Sequence, residues 1–383
     1  MLIRILKYIY SGIKWGKSIH SFRQGGSVLK IKAILIFAVF LIPLTVAGDE
    51  PMQVPITSVR AHSLGPEQIG NLPPVVEPPD NPQTVDKILL GKKLYFDTRL
   101  SADNTVSCAT CHDPAMGWSD AGPTSKGINN QLGGRRAPPV SNSAYNLLQF
   151  WDGRSPSLED QAKGPIANPI EMGNTHVAMI RTVNDIPGYV EEFKLVFGST
   201  PITVDQVAQA IAAFERTVVT TDSPFDRYVR GDITALTPLE KKGLEIFNGK
   251  GHCTACHWGG NFSDSRFHNL GVAAADLSKK DEGRYKVTNN PADMGAFKTP
   301  TVRDAALRAP YMHDGSEKTL EDVVRLYDLG GGSDESNLDP LMVPLGLSES
   351  EIAALVAFMK RAMVSTNPEV SNVKPIPPSE FPK

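Results

Sequence analysis

The chain has 383 residues, with 39 Lys and Arg against 42 Asp and Glu and a formal net charge of −3. That balance argues against nucleic acid or an anionic membrane surface as a partner, since both call for a basic face. Thirty prolines, 32 glycines and 7% aromatic residues suggest short helices joined by long ordered loops, in a chain long enough for two domains of ordinary size.

The first 48 residues hold no Asp or Glu but carry Arg4, Lys7, Lys14, Lys17, Arg23, Lys30 and Lys32. An apolar run from Ala33 to Leu44 follows, then Thr45-Val46-Ala47, which fits the small-x-small rule for signal cleavage. Residues 1–47 therefore read as a signal peptide, and the mature chain starts near Gly48. The apolar run is short for a membrane span, and the long basic lead leaves an uncleaved anchor as the alternative. Residues 48–83 are rich in proline and read as an extended lead-in.

From Thr84 the pattern turns helical, with Val85, Ile88, Leu89 and Leu94 on one face and an end before Asp97. Thr203-Val204-Asp205-Gln206 opens a second helix carrying Val207, Ile211, Ala212 and Phe214. Thr237-Pro238-Leu239-Glu240 is a capping box with Pro at the first helical position, followed by a stripe of Leu239, Gly243, Ile246 and Phe247. Leu320, Val323, Val324 and Leu326 mark a helix from Thr319 to about Asp328, and Ser348 to Glu351 caps another through Ile352, Leu355, Val356 and Met359. The Pro-rich end from Asn367 reads as irregular and free to wrap a neighbour. No strand alternation of any length occurs, so the class is mainly α.

Two Cys-x-x-Cys-His stretches, Cys108-Ala109-Thr110-Cys111-His112 and Cys253-Thr254-Ala255-Cys256-His257, consume every cysteine. The spacing is the attachment signature of c-type haem, in which two thiols form thioethers to the porphyrin and the adjacent histidine ligates iron. The competing readings are a zinc site, of four thiolates or of two thiolates and two imidazoles, and a strained disulfide loop. A matching histidine after each pair and the long separation weigh against both. Because a helix precedes each motif, the chain divides into two cytochrome c-like haem domains, 84–222 and 223–365, with a Pro-rich tail at 366–383. Two covalently attached haem c groups are the expected cofactors. Since c-type haem is attached outside the cytoplasm in bacteria, the expected compartment is the periplasm.

A haem with two strong protein ligands shuttles electrons, whereas one with an open face can bind and break a peroxide. Beyond His112 and His257 only His20, His62, His176, His252, His268 and His313 remain, and none lies between His112 and Trp151.

Further stretches carry a resemblance. They are Phe150-Trp151-Asp152-Gly153-Arg154, continuing through Leu158-Glu159-Asp160-Gln161-Ala162-Lys163-Gly164-Pro165 to Asn168-Pro169-Ile170-Glu171-Met172-Gly173, then Phe297-Lys298-Thr299-Pro300-Thr301-Val302-Arg303 and Ala309-Pro310-Tyr311-Met312-His313-Asp314-Gly315. With the two haem motifs, and in this order, the chain resembles the bacterial dihaem cytochrome c peroxidase family, including its MauG branch, over nearly all of residues 84–365. The resemblance implies that the haem on Cys108, Cys111 and His112 meets peroxide. It makes Trp151 an electron relay to the haem on Cys253, Cys256 and His257, Glu171 the general acid/base, and Gln161 the group that orients peroxide or its water. Plainer roles remain open for two of these: a core indole for Trp151 and a surface amide for Gln161.

Three departures from the family pattern carry expectations of their own. The reductively activated branch has a distal histidine between the first motif and the Trp; here there is none, so the first iron is expected to be five-coordinate and reactive without prior reduction. Met116 is the thioether alternative there, with packing against the porphyrin as its other role. Where that branch ligates the second iron with methionine, alignment on His313 places Tyr327, as in MauG-like proteins. A phenolate favours higher oxidation states and a lower potential, and Met294 or Met312 is the alternative ligand. At the inter-domain calcium site, Arg136 stands where the family's asparagine ligand would be and Arg308 at a carbonyl-supplying position. Calcium does not accept a guanidinium in its shell, so the ion is expected to be absent or the site reshaped, with an arginine head among the same carbonyls as one outcome. A one-residue register error is the alternative, since Arg135 is adjacent.

The expected partners are hydrogen peroxide and either a small soluble donor, a c-type cytochrome or cupredoxin, or a protein substrate oxidised in the MauG manner. No nucleic acid is expected, and a membrane only if the signal segment stays uncleaved. A dihaem electron carrier with both irons six-coordinate is the reading from another class.

Overall fold

The computed structural model describes residues 69–272, 280–333, 337–367 and 380–383. The signal-peptide reading and the lead-in up to residue 68 lie outside the described residues, as does most of the Pro-rich tail. Eleven α-helices and a short strand pair are described, joined by loops and single turns, so the mainly α expectation holds.

Helix α1 (Val85–Phe96) starts at Thr84, whose side chain accepts from the Lys87 N–H, and is followed by the four-residue α2 (Cys108–Cys111) of the first haem motif. Helices α3 (Leu158–Ala167), α4 (His176–Asn184), α5 (Pro187–Phe197) and α6 (Val204–Glu215) complete the first half. Helix α1 crosses α6 at Gly91, where an added Cβ would lie 1.8 Å from the Ala210 carbonyl oxygen. Only glycine permits so close a backbone approach.

That crossing corrects the face expected for α1. Val85 and Leu89 are exposed, at 72% and 52%, while Lys87, Leu90, Gly91, Leu94 and Tyr95 point inward. The buried positions keep the i, i+3, i+4, i+7 spacing of an amphipathic helix. A lysine hides the stripe: Lys87 Nζ donates to Asn81 Oδ1 at 2.9 Å and to the Pro82 carbonyl at 2.7 Å, so its charge is satisfied where it is buried.

The second half repeats the device. Helices α7 (Pro224–Val229), α8 (Pro238–Asn248), α9 (Tyr285–Thr288), α10 (Leu320–Asp328) and α11 (Glu349–Ala357) follow, the last running into a π-turn over Phe358–Ala362. Helix α8 crosses α11 at Gly243, whose added Cβ would meet the Ala354 carbonyl oxygen at 2.1 Å. Gly243, Ile246 and Phe247 of the expected stripe are buried, but Leu239 is 51% exposed and Glu240 is buried in its stead, paired with Arg361. In each half, then, the helix before a haem motif crosses a later helix at a glycine.

Two apolar cores result. Leu94, Tyr95, Met179, Phe193 and Phe214 belong to the first, and Phe225, Phe247, Phe262 and Phe358 to the second. Strand β1 (Phe267–His268) pairs antiparallel with β2 (Phe297–Lys298), two residues each. The described part of the lead-in ties the halves together: Arg303 donates to the Gly70 carbonyl at 3.1 Å and Tyr145 to the Pro73 carbonyl at 2.7 Å. At the other end the last residues pack on the first half. Phe381 lies against the first core, and the Lys383 carbonyl accepts from the Gly188 N–H at 2.9 Å.

Candidate haem sites

Ser107 and Thr110 form a reciprocal cap that winds Cys108–Cys111 into one turn, which brings both thiols and the His112 ring to one cavity. Tyr95 fixes the end of that turn by donating to the His112 carbonyl at 2.8 Å. Burial lowers the His112 pKa, so the imidazole stays neutral as a metal ligand must be. Its buried Nδ1 lacks a hydrogen bond, with the Trp118 and Pro138 carbonyls beside it. Around the second motif, Cys253, Cys256 and His257 face another cavity, and His257 Nδ1 lies 2.9 Å from the Phe262 carbonyl. Such a bond fixes the tautomer and leaves Nε2 for iron.

The two thiol pairs do not converge. Burial pushes the Cys111 thiol up to about 11 and that of Cys253 to about 12, the opposite of a zinc-poised thiolate. Among the described residues the one cluster with metal-ligand spacing is Cys256, Asp264 and His268, which takes its sulfur from a haem motif. Paired buried thiols, a neutral histidine beside each pair and a largely apolar wall fit covalent haem in both cavities.

Helix α3 turns Leu158, Gln161, Ala162 and Pro165 into the first cavity, at i, i+3, i+4 and i+7. Glu171 reaches the same cavity from the loop that follows. Its backbone is pinned by the Ile128 N–H, which donates to the Glu171 carbonyl at 2.7 Å. Gly127 makes room, since a Cβ there would lie 2.5 Å from that oxygen. Burial raises the Glu171 pKa, against a lowering influence from Arg154 and a hydrogen bond from Asn168. Among the described residues lining this cavity His112 is the sole imidazole, and Met116 is not in the wall.

Trp151 belongs to the walls of both cavities. Its indole N–H donates to the Arg136 carbonyl at 2.8 Å, while its own carbonyl accepts from the Lys298 N–H at 2.8 Å. Phe150 before it takes a left-handed φ of 65°, and the Arg154 guanidinium lies 3.4 Å from the centre of the Phe150 ring. Arg135 and Arg154 both pair with Asp152, which locks the turn.

Arg136 shares the partition with Trp151. Its buried guanidinium donates to the carbonyls of Asp120, Gly122, Arg308 and Ala309 and, at 2.9 Å, to Asp120 Oδ1. The arginine head thus sits in a cage of carbonyl oxygens with one carboxylate.

Helix α10 turns Leu320, Val323, Val324 and Tyr327 into the second cavity with the same spacing that α3 uses in the first. Burial raises the Tyr327 hydroxyl above its ordinary range. Met312 also lines this cavity and Met294 does not; Met342, unconsidered in the sequence, does. His313 lines it too, stacked on Phe297 with ring centres 3.6 Å apart.

Among the charged wall residues that sequence reasoning left without a role are Glu215, His268 and Lys298. Glu215 ends α6 in the first cavity, where burial raises its carboxyl to about 8 and Oε2 has no hydrogen bond. His268 bridges Asp264 and Asp339 at 2.9 and 2.6 Å; burial opposes its charge, but these carboxylates and the Cys256 sulfur outweigh that and raise it to about 11. The third is Lys298. Each would read from sequence as a surface charge, and no local signal marks it otherwise.

A mainly α chain with two cavities, each entered by a Cys-x-x-Cys-His turn, defines a dihaem c-type cytochrome. The family model described as di-haem cytochrome c peroxidase matches residues 85–234. A cytochrome-c peroxidase, IdrP1, of Denitromonas iodatirespirans is 39% identical over 338 residues, covering 81% of this chain and 89% of that one. The methylamine utilization protein MauG of Methylorubrum extorquens is 40% identical over 316 residues, covering 82% and 87%. Among solved structures, a MauG-like protein associated with microbial copper homeostasis superposes with a TM-score of 0.72 at 31% identity, covering 77% of this chain and 94% of that one. The chain belongs to the di-haem cytochrome c peroxidase family and is an oxidoreductase carrying two c-type haems.

Proposed function

We propose that the enzyme cleaves hydrogen peroxide in the first cavity, over His112, and that Trp151 carries electrons to it from the second cavity. The observation that supports this most is the place of Trp151 in both walls. Haem, once attached through Cys108 and Cys111 or through Cys253 and Cys256, supplies an iron and a macrocycle that exchange electrons with peroxide and with each other. The chain supplies the rest. Glu171 accepts a proton from one peroxide oxygen and returns it to the departing one, a role that suits a carboxyl whose pKa burial has raised. Gln161, one helical turn from Pro165 on α3, orients the peroxide. A wall with no imidazole but His112 supports an open iron that needs no activating reduction.

Tyr327 is proposed as the sixth ligand at the His257 haem. A phenolate there lowers the potential and favours the MauG-like alternative, in which residues of a partner protein are oxidised, over withdrawal of electrons from a small c-type cytochrome or cupredoxin. Met312 and Met342 in the same wall are the thioether alternatives, and a ligand of that kind would favour the soluble donor. The two core clusters support separate haem domains, 84–222 and 223–365. Arg136 is proposed to replace the inter-domain calcium. The haem motifs, which require attachment outside the cytoplasm, support the periplasm; among the described residues no helix is long and apolar enough to cross a membrane.

Trp151→Phe tests the relay. With the second haem pre-reduced, its oxidation by peroxide should slow by about tenfold or more while both haems stay attached. An unchanged rate removes Trp151 from the path. Cyanide or carbon monoxide binding at neither haem would instead favour the electron-carrier reading.

A further inference from the structure

Lys298 is 6% exposed and lines the second cavity. Its backbone is fixed on two sides: it pairs with Phe267 in the β1–β2 ladder, and its N–H donates to the Trp151 carbonyl at 2.8 Å. Among the described residues its ammonium has no hydrogen bond or ion pair. Every other permanent cation in that wall is committed. The Arg136 guanidinium is held by Asp120 and four carbonyls, and the Arg308 guanidinium by the carbonyls of Arg303 and Thr301 at 2.7 Å. His268 lies between Asp264 and Asp339. No aspartate or glutamate is among the described lining residues.

An ammonium buried without an anion is costly, and proteins pair such a group or lose its proton. Burial alone already draws the Lys298 pKa down to about 8. With no acid among the described lining residues, the occupant is the source of the anion, and a haem brings two propionate carboxylates. The geometry points to Lys298 as the counter-ion of a propionate on the second haem, so that the residue whose N–H bonds the Trp151 carbonyl would also hold that haem. The inference rests on haem filling this cavity and is independent of which iron meets peroxide. Lys298 is a positioning residue: it orients the porphyrin and biases the electron equilibrium at the second haem, because a nearby cation disfavours the more positive ferric form.

The test is spectroelectrochemical titration of the full-length dihaem protein. Lys298→Met should keep both haems attached and lower the second haem's midpoint potential by at least 59 mV, a tenfold change in a one-electron equilibrium, while the first haem's potential stays put. Lys298→Arg, which keeps the charge, should stay near wild type. An unmoved potential in the methionine variant overturns the pairing, and so does an arginine variant as low as the methionine one. Two haems with an unmoved potential would refute the pairing and leave the peroxidase reading standing. Should the methionine variant not accumulate, the reduced-minus-oxidised infrared spectrum of wild type decides. Labelling lysine Nζ with nitrogen-15 should shift bands in the difference spectrum, and insensitivity to the label overturns the pairing.

Discussion

Glu171 and Tyr327 define opposite demands on an oxygen atom. In the proposed mechanism Glu171 gains and loses a proton within a turnover, and burial helps by raising its pKa. The sign of the pH dependence follows: only the ionised carboxylate accepts the peroxide proton, so the rate should fall as pH drops through a pKa above the ordinary glutamate value. Glu171→Gln should slow peroxide cleavage by about two to four orders of magnitude with both haems in place, and should erase that acid limb in a stopped-flow pH profile. As the proposed ligand, Tyr327 would instead lose its proton for good, against a burial that holds it protonated, and iron would supply the difference. Tyr327→Met should raise the second haem's potential, and Tyr327→Phe should open a coordination position to cyanide. Mössbauer spectra of peroxide-treated wild type and both variants check this. Identical spectra would make Tyr327 a packing residue and turn attention to Met312 and Met342.

At the scale of the helix, the two crossings at Gly91 and Gly243 govern how each haem motif is presented. Gly91→Ala and Gly243→Ala should each destabilise the protein by about 1–3 kcal/mol, because backbone rather than a flexible side chain stands in the way. Thermal melts monitored separately at the two haem Soret components check it. Helix starts were legible in sequence because their signals are local: the boxes Thr203–Gln206, Thr237–Glu240, Thr319–Asp322 and Ser348–Glu351 all cap the helices they announce. Helix faces were legible only in part: Val207, Ile211, Ala212 and Phe214 of α6 and Ile352, Leu355 and Val356 of α11 are buried as expected, but the first turns of α1 and α8 are not. Lys87 and Glu240 occupy buried stripe positions, and each is admitted only by a distant partner, Asn81 or Arg361, that the pattern cannot supply. Helices α4, α5 and α7 went unread for a related reason, since their exposed apolar residues, such as Val177 and Leu195, blur the periodicity. The haem motifs, Trp151 and the α10 tyrosine were legible as motifs, while Glu215, His268 and Lys298 acquire meaning only from cavities that tertiary packing creates.

Across the whole molecule, Trp151 and Arg136 make the partition that joins two otherwise separate cores. The Arg136 head supplies a fixed positive charge to the same kind of oxygen cage that a divalent cation takes. Exhaustive treatment with a calcium chelator should therefore leave the haem spectra and peroxide turnover unchanged. Arg136→Asn, which empties the cage of charge, should make both depend on added calcium. Chelator sensitivity of the wild type would mean that the guanidinium is not sufficient.

The proposed peroxide chemistry requires an open iron in the first cavity, where His112 is the lone imidazole among the described lining residues. Electron paramagnetic resonance of the fully oxidised enzyme as isolated, followed by mixing with one equivalent of hydrogen peroxide in the absence of any reductant, tests it directly. A high-spin ferric signal from one haem that is lost within the mixing experiment is the predicted result. Two low-spin haems that stay inert to peroxide until one electron is added would contradict it, and would require a sixth ligand at the first iron.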